Sequence, residues 1–223
     1  IAQWDKHDGK GIDDLISNCG VEAWEKSHSE AETYSQWSIS NQLQNEIRRT
    51  PDRNIGDREF IEIASELPRE GILALHGGKG SGKSKAIGIL IHGQKWLSIT
   101  HRTSVGRDQG GGWRGVFIND GDFHGSKLLK DGAPVDGGSV CVPSLLKVQA
   151  VDADILILDE TTAILEFLLG SRLANKDGIR PLLLREFVDR VRSARFVLLA
   201  DADLTEEALQ FIEQIRGERA HLV

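Results

Sequence analysis

The sequence has no methionine and only two cysteines among its 223 residues, and no long apolar run. Cys19 and Cys141 lie far apart, so no disulfide framework is expected and we interpret both thiols as structural. None of the seven histidines has metal-ligand spacing with either cysteine. A bilayer-crossing helix needs about 18 to 20 apolar residues, and a signal peptide needs a basic start before an apolar stretch. The sequence shows neither, which predicts a cytoplasmic protein with no membrane partner.

The start of the chain is also unusual. The first residue is Ile1, and methionine is missing throughout, which is rare in a natural intracellular protein of this length. We therefore expect a segment of a longer parent chain that carries other domains. With 39% hydrophobic residues, the segment can bury one good core and a small second module.

Charge is distributed unevenly along the chain. The net charge of −7 argues against a surface coated with basic residues for nucleic acid. Between His76 and Arg114, however, seven basic residues face one acid, so a local charge of +6 leaves −13 for the remainder. Binding of a nucleotide explains part of this local charge, and the surplus is suited to nucleic-acid phosphates.

The chain has two regions of different composition. Residues 1–57 contain three of the five tryptophans, the only tyrosine and many acids, and they end in a turn-rich linker. We predict a small, partly helical N-terminal segment there. Residues 58–223 alternate strands and helices, and most strands are continuous apolar runs, as in strands buried on both faces. The predicted fold is α/β, with a mostly parallel sheet and helices on both faces.

Individual elements follow from this pattern. The predicted strands are 71–75, 96–100, 115–118, 139–142, 155–158 and 195–200, and the predicted helices include 84–93, 179–193 and 205–216. Two segments rich in glycine and aspartate, 106–115 and 119–138, are predicted to be irregular loops. Trp113, in the first of them, is a weak candidate for stacking on an unpaired base.

The most informative motif is ILALHGGKGSGKS at residues 72–84, where an apolar strand runs into a P-loop pattern. Glycines let the chain curl so that several N–H groups point at one polyphosphate. Lys83 would reach the β- and γ-phosphates at a helix N-terminus, and Ser84 would offer its hydroxyl to Mg²⁺. A glycine-rich surface turn is the alternative. The predicted nucleotide-binding residues are Gly77, Gly78, Lys79, Gly80, Ser81, Gly82, Lys83 and Ser84.

A second motif ends the strand at 155–158, where four apolar residues precede Asp159 and Glu160. Asp159 is predicted to hold Mg²⁺ and Glu160 to orient and polarise the attacking water, since γ-phosphate hydrolysis depends on positioning and charge neutralisation. Lys83 and Glu160 are therefore the predicted catalytic residues. A solvated turn is the alternative for an Asp-Glu pair.

Two other strand ends are polar. The strand at 96–100 leads into His101, Arg102, Thr103 and Ser104, and Arg102 with the two hydroxyls is suited to a nucleic-acid backbone phosphate. The strand at 195–200 ends in Asp201 and Asp203, which are suited to coupling the γ-phosphate state to movement. In a parallel sheet these ends share an edge with the P-loop. An ordinary helix cap is the alternative for each.

Taken in order, GGKGSGKS, SITHRTS, VCVPSL, ILDET and LADADL resemble the motifs of the first RecA-like domain of superfamily 2 helicases, across about residues 58–216. More closely, the chain resembles cyanobacterial-type plasmid replication proteins that join a primase-like module to a helicase related to herpesvirus origin-binding proteins. Residues 2–5 and 9–16 are similar to the closing segment of the Toprim-like module in those proteins.

This resemblance implies a RecA-like P-loop ATPase domain at residues 58–223, after the tail of a Toprim-like module and a linker at 1–57. It implies ATP and Mg²⁺ as cofactors, with unwinding of, or translocation on, single-stranded or origin DNA at replication initiation. The family's DNA-contact role falls on His101, Arg102 and Thr103, and its coupling role falls on Asp201 and Asp203.

The chain departs from the family in two ways. The tetrad at 159–162, Asp-Glu-Thr-Thr, replaces DEAD or DEAH, which leaves open how it bonds to the coupling strand. A second RecA-like domain and an arginine finger are not expected within these residues, so the segment alone should bind nucleotide but hydrolyse it poorly.

Two alternative functions stay open. One is a nucleotide-gated DNA- or origin-binding module without unwinding. The other is a P-loop kinase, against which Glu160 and the local positive charge count.

Overall fold

The computed structural model describes residues 12–29, 47–118, 122–124 and 127–223. The chain divides into two compact units, residues 1–46 and 47–223. In the first unit, helices α1 (Ile12–Cys19) and α2 (Val21–Ser29) are separated by Gly20, whose φ of +87° is the left-handed conformation that ends a helix. Residues 2–5 and 9–11, which carry part of the Toprim-like resemblance, lie outside the described residues.

The described residues of the second unit form ten strands. They are β1 (Gly71–His76), β2 (Trp96–Thr100), β3 (Val116–Phe117), β4 (Asp122–His124), β5 (Lys127–Lys130), β6 (Ala133–Val135), β7 (Gly137–Cys141), β8 (Ile155–Asp159), β9 (Phe196–Asp201) and β10 (His221–Leu222). Seven form one sheet in the order β10-β1-β9-β8-β2-β7-β3, and every pairing in it is parallel. Strands β4, β5 and β6 form a separate antiparallel sheet.

Helices pack on both faces of the large sheet. They are α3 (Phe60–Ile63), α4 (Lys83–Leu90), α5 (Thr103–Gly112), α6 (Thr161–Gly170), α7 (Arg180–Ser193) and α8 (Glu206–Arg216). Ile72 and Ala74 of β1 belong to the hydrophobic layer shared with α6, α7 and α8, whereas Leu73 and Leu75 belong to the layer shared with α3 and α4. The predicted α/β fold with a mostly parallel sheet is therefore confirmed. No helix within the described ranges is both long and apolar enough to cross a bilayer.

Both segments predicted to be irregular contain regular structure. Helix α5 occupies most of 106–115, and β4, β5, β6 and the start of β7 lie within 119–138. The β5–β6 hairpin turns at Asp131 and Gly132, with φ of +52° and +78°. Asp-Gly is the expected pair for such a two-residue turn, so the sequence contained a hairpin signal. The high glycine content of 119–138 nevertheless favoured the prediction of a loop.

Helix α5 lies on an unusually polar part of the sheet. Ser98, Thr100 and Ser139 are fully buried there, and each hydroxyl donates a hydrogen bond to α5 or to the residue before it. A buried hydroxyl without a partner costs free energy, so this helix is attached by hydrogen bonds rather than by an apolar face alone. That is why the apolar periodicity of an amphipathic helix is missing from its sequence.

Glycines let α5 approach the sheet closely. A Cβ atom on Gly106 would lie 2.6 Å from the Phe117 ring, and one on Gly110 would lie 2.8 Å from the Phe117 backbone nitrogen. Trp113, at the end of α5, donates from Nε1 to the Ser84 carbonyl at 3.0 Å and packs edge-on against Trp96. Trp113 thus helps to attach the end of α5, and its side chain stays partly exposed, so its suggested role in stacking on a base stays a prediction.

The adjacent glycines of α5 give a matched test of this packing. We expect Gly110→Ala to destabilise the protein by about 1 to 3 kcal/mol, because its methyl group would meet backbone atoms that cannot rotate away. Gly111→Ala, whose methyl group would face open space, should stabilise by up to about 1 kcal/mol. Chemical denaturation measures both. Equal effects of the two substitutions would contradict the close seating of α5.

Candidate functional site

The carboxyl ends of four neighbouring strands bring the predicted site residues to one edge of the sheet. His76 of β1 pairs with Asp201 of β9, and Asp159 of β8 pairs with Ala200. Strand β2 pairs with β8 on its other side. Because these strands are parallel, the segments that follow β1, β9, β8 and β2 all leave the sheet at this edge.

The loop between β1 and α4 needs glycine at particular positions. Gly80 and Gly82 both have φ of +83°, and Gly82 is the residue before the first turn of α4, where its carbonyl accepts from Ala86 N at 2.9 Å. Gly77 also leaves little space, because a Cβ atom there would lie 3.0 Å from the Phe60 ring, a tight contact. The loop thus leads into a helix N-terminus, the arrangement that favours bound anions.

Lys83 lies at the first position of α4 and folds back over this loop. Its Nζ donates to the carbonyl oxygens of Gly77 and Gly78, the latter at 2.9 Å, and lies 3.3 Å from Ser81 Oγ. Burial lowers the pKa of Lys83, and the charges of Asp159, Asp201 and Asp203 oppose that shift. The structure therefore brings the lysine within electrostatic range of all three acids. Lys79 and Ser84 are exposed beside it.

Asp159 is held by a residue that the sequence did not identify. Burial raises the pKa of Asp159 to about 6, and a hydrogen bond from Gln109 Nε2 to its Oδ2, 2.8 Å long, opposes the rise. Repulsion from Glu160 adds to the rise, and attraction to Lys83 reduces it. Gln109 belongs to α5, the segment predicted to be a loop, so no pattern in the sequence pointed to it.

Glu160 has a strained backbone. Its φ and ψ of +61° and +56° are left-handed, which is uncommon for a residue with a side chain and costs roughly 1 to 3 kcal/mol. Its N–H donates to the Ala200 carbonyl at 2.7 Å, which fixes the turn from β8 into α6. The Glu160 side chain is 43% exposed, and its Oε2 lies 3.5 Å from His101 Nε2.

The three predicted DNA-contact residues differ in exposure. The His101 side chain is only 11% exposed, and burial lowers its pKa while the charge of Glu160 opposes that shift. Arg102 and Thr103, in contrast, are exposed where α5 begins. The structure thus places His101 against the predicted catalytic glutamate and leaves its two neighbours facing solvent.

The structure also defines how the 159–162 tetrad bonds to β9. Thr162 N donates to Asp201 Oδ2 at 2.9 Å, and Thr162 Oγ1 donates to the Asp203 carbonyl at 3.1 Å. The other carboxylate oxygen of Asp201 accepts from Asp203 N at 2.8 Å. Asp201 is only 5% exposed, so its carboxylate has hydrogen-bond partners on both sides. Thr162, at the start of α6, therefore links the segment after β8 to the end of β9 through main-chain and side-chain contacts.

The site suits a metal ion that binds together with a phosphate compound. Among the described residues, no group of three or more His, Cys, Asp or Glu side chains is placed to hold a metal. Mg²⁺ takes oxygen ligands, keeps several waters, and is commonly held by one or two protein groups plus phosphate oxygens. Asp159 and the Ser84 hydroxyl are oxygen donors of that kind. These residues therefore fit Mg²⁺ bound to a nucleotide better than a metal held by protein alone.

The described architecture defines an α/β protein whose parallel sheet has a glycine-rich loop and clustered acids at one edge. No known protein-family profile matches the chain. The chain is 24% identical over 236 residues to an uncharacterised protein of Picosynechococcus sp. (strain ATCC 27264 / PCC 7002 / PR-6), an alignment that covers 96% of this chain and 22% of that protein. The chain thus spans about a fifth of the length of this relative.

The raised pKa of Asp159 leads to a stability prediction. In metal-free buffer, Asp159→Asn should be more stable than the wild type above pH 7 by up to about 3 kcal/mol, because ionising a carboxyl whose pKa is raised from 3.8 to about 6 destabilises the folded state. The unfolded chain loses this proton near pH 4 and the folded chain near pH 6. The difference should therefore be absent below pH 4 and grow between pH 4 and 6.

Urea denaturation at a series of pH values measures this difference, with EDTA present throughout. Asp152→Asn is a matched control, because Asp152 is exposed and forms an ion pair with Lys95 on the surface. A constant gap between Asp159→Asn and the wild type at every pH would contradict the prediction.

Proposed function

We propose that residues 58–223 are a RecA-like P-loop ATPase domain of a DNA helicase-type plasmid replication protein, which acts in unwinding or translocation at replication initiation. The observation that carries this proposal is the meeting of Lys83 and Asp159 at one sheet edge, close enough for their charges to shift each other's pKa. A glycine-rich loop and a metal-binding acid must meet in this way to share a nucleotide and its Mg²⁺.

The geometry of the loop supports nucleotide binding. The strand leads into the loop without a break, the glycines at 80 and 82 take left-handed conformations, and α4 starts at Lys83. In the proposed complex, backbone N–H groups of the loop and of the first turn of α4 bind the phosphates. Lys83 then exchanges its contacts with the loop carbonyls for phosphate oxygens.

The neighbouring strand ends supply the remaining roles. Mg²⁺, when bound, neutralises developing charge on the phosphates and would be held by Ser84 and Asp159. Glu160 orients the attacking water, and its strained backbone places it at the end of β8 beside His101. Strain of this kind persists where the surrounding structure fixes it, and it is enriched at functional sites.

The contacts around Thr162 support the coupling role of β9. Strand β9 lies between β1 and β8, so Asp201 is adjacent to both the loop strand and the acid strand. A change at the γ-phosphate that shifts Glu160 would also shift Thr162, which is bonded to Asp201 and Asp203. The hydrogen bonds thus form a continuous path from the proposed hydrolytic residue to the β9 end.

The nucleic-acid part of the proposal rests on exposure and charge. Arg102 and Thr103 are exposed at the start of α5, within the region of local charge +6. Arginine, hydroxyl groups and a helix N-terminus are all donors to backbone phosphates. The alternative of a nucleotide-gated DNA-binding module uses the same residues, and it predicts ATP-dependent DNA affinity without strand separation.

Nucleotide binding is tested at Lys83. We expect Lys83→Ala to weaken binding of Mg²⁺·ATP by about 10- to 100-fold, because charge-assisted hydrogen bonds contribute roughly 1.5 to 3 kcal/mol. Titration calorimetry measures the affinity, and circular dichroism checks that the variant is folded. Lys85→Ala is the matched control, since Lys85 is exposed two residues further along the same helix. Undiminished affinity of the folded Lys83→Ala variant would refute the nucleotide site.

DNA binding is tested at Arg102. Arg102→Ala should weaken binding of single-stranded oligonucleotides regardless of their sequence and reduce the slope of log K against log salt by about 0.7, the value for one lost phosphate contact. Fluorescence anisotropy at several salt concentrations gives the slope. Arg185→Ala, which removes an exposed arginine on α7, should leave it unchanged. If Arg102→Ala has the wild-type slope, Arg102 is not a phosphate contact.

A further inference from the structure

Helix α5 and the residue that follows it contact both residues assigned to Mg²⁺. Near its middle, Gln109 donates to Asp159, and Trp113 just after its last residue donates to the Ser84 carbonyl. Its first residue, Thr103, lies beside Arg102 in the proposed nucleic-acid contact. One ten-residue helix therefore connects two sites that the proposed function requires to communicate.

The Gln109 amide has a single consistent orientation. Its side chain is buried, with the residue 5% exposed, and its two polar atoms lie near Asp159 Oδ2 and Ser98 Oγ at 2.8 and 2.7 Å. An ionised carboxylate can only accept, so the amide nitrogen must face Asp159. The amide oxygen then accepts from the Ser98 hydroxyl. Ser98 thus fixes Gln109, and Gln109 fixes one carboxylate oxygen of Asp159.

The other oxygen of this carboxylate is positioned by the same contact. Among the described residues, none donates a hydrogen bond to Asp159 Oδ1. When Gln109 holds Oδ2, rotation of the carboxylate is restricted, and Oδ1 is kept in a defined direction for a metal or its water. Outer contacts of this kind orient metal ligands and affect metal affinity strongly.

We propose that Gln109 is a positioning residue through which α5 makes metal–nucleotide binding at Asp159 and nucleic-acid binding at Arg102 and Thr103 depend on each other. This inference rests on the proposed function. Gly106 and Gly110 seat α5 closely against Phe117. Because Arg102, Thr103 and Gln109 are joined by one short helix, we expect a shift at its first turn to reach Gln109. Hydrogen bonds weaken steeply with distance and angle, so a small shift changes how Asp159 is held.

The test is a thermodynamic cycle on the full-length protein. The affinity for a fluorescent mant-labelled, non-hydrolysable ATP analogue is measured with Mg²⁺, in the presence and absence of a single-stranded oligodeoxythymidine. We expect the oligonucleotide to change the wild-type affinity at least about fivefold, the lower end of typical coupling. In Gln109→Leu the ratio should fall to near one. The same ratio should be found when oligonucleotide affinity is measured with and without the analogue, because coupling is reciprocal.

Two comparisons separate positioning from general loosening of α5. Ser139→Ala removes the hydrogen bond to the Gly106 carbonyl, on the same helix but away from Asp159, and should retain the wild-type ratio. Gln109→Leu should also raise the Mg²⁺ concentration needed for half-maximal binding of the analogue, and Ser139→Ala should not, since Gln109 contacts the proposed metal ligand. Thermal melts establish that each variant is folded. If Gln109→Leu does not fold, Ser98→Ala replaces it and should reduce the ratio, because the amide is no longer fixed.

The possible results are distinct. Wild-type protein that fails to bind the analogue defeats the proposed function and this inference with it. Wild-type protein that binds both ligands without coupling overturns only the inference. Coupling that survives in Gln109→Leu, or that is lost equally in Ser139→Ala, also overturns it and leaves the nucleotide site intact.

Discussion

The parallel order β1-β9-β8-β2 is the constraint on which the other features depend. Parallel strands end at the same edge, so four segments distant in sequence converge there: the loop after β1, the acids ending β9 and β8, and the His-Arg-Thr run after β2. The order also places β9 between the loop strand and the acid strand. Asp201 thus becomes a neighbour of both, although it follows Lys83 by more than a hundred residues. Two apolar layers on the sheet faces stabilise this order.

The candidate site lowers the stability of the folded state. Partial burial raises the pKa of the Asp159 carboxyl to about 6 and lowers the pKa of Lys83, and Glu160 has a left-handed backbone. Each of these features destabilises the folded chain. They cluster at one edge, while the layers that α3, α4, α6, α7 and α8 form with the sheet consist of buried apolar side chains. A concentration of unfavourable features in one place is typical of a site retained for chemistry or binding.

Helix α5 shows where sequence reasoning failed. Its buried face consists of Gly106, Gln109 and Gly110, at helical spacing but without apolar side chains, because the sheet beneath presents the buried hydroxyls of Ser98, Thr100 and Ser139. Periodicity methods detect apolar faces, so a helix seated through hydrogen bonds and glycines resembles a loop. The same polar environment conceals Gln109, whose role is visible only when β2, β8 and α5 are brought together.

The parallel α/β sheet, most strand positions and the glycine-rich loop could be predicted from the amino-acid sequence, because continuous apolar runs and short-range spacing are local properties of the chain. The sequence also indicated which acids end which strands. The tertiary structure alone decided that Thr162 bonds to Asp201, that His101 lies against Glu160 and that Gln109 holds Asp159. Each of these contacts joins residues on different elements. The distances in these contacts are set by the strand order, the strand register and the position of α5 on the sheet. No local sequence pattern encodes these three features.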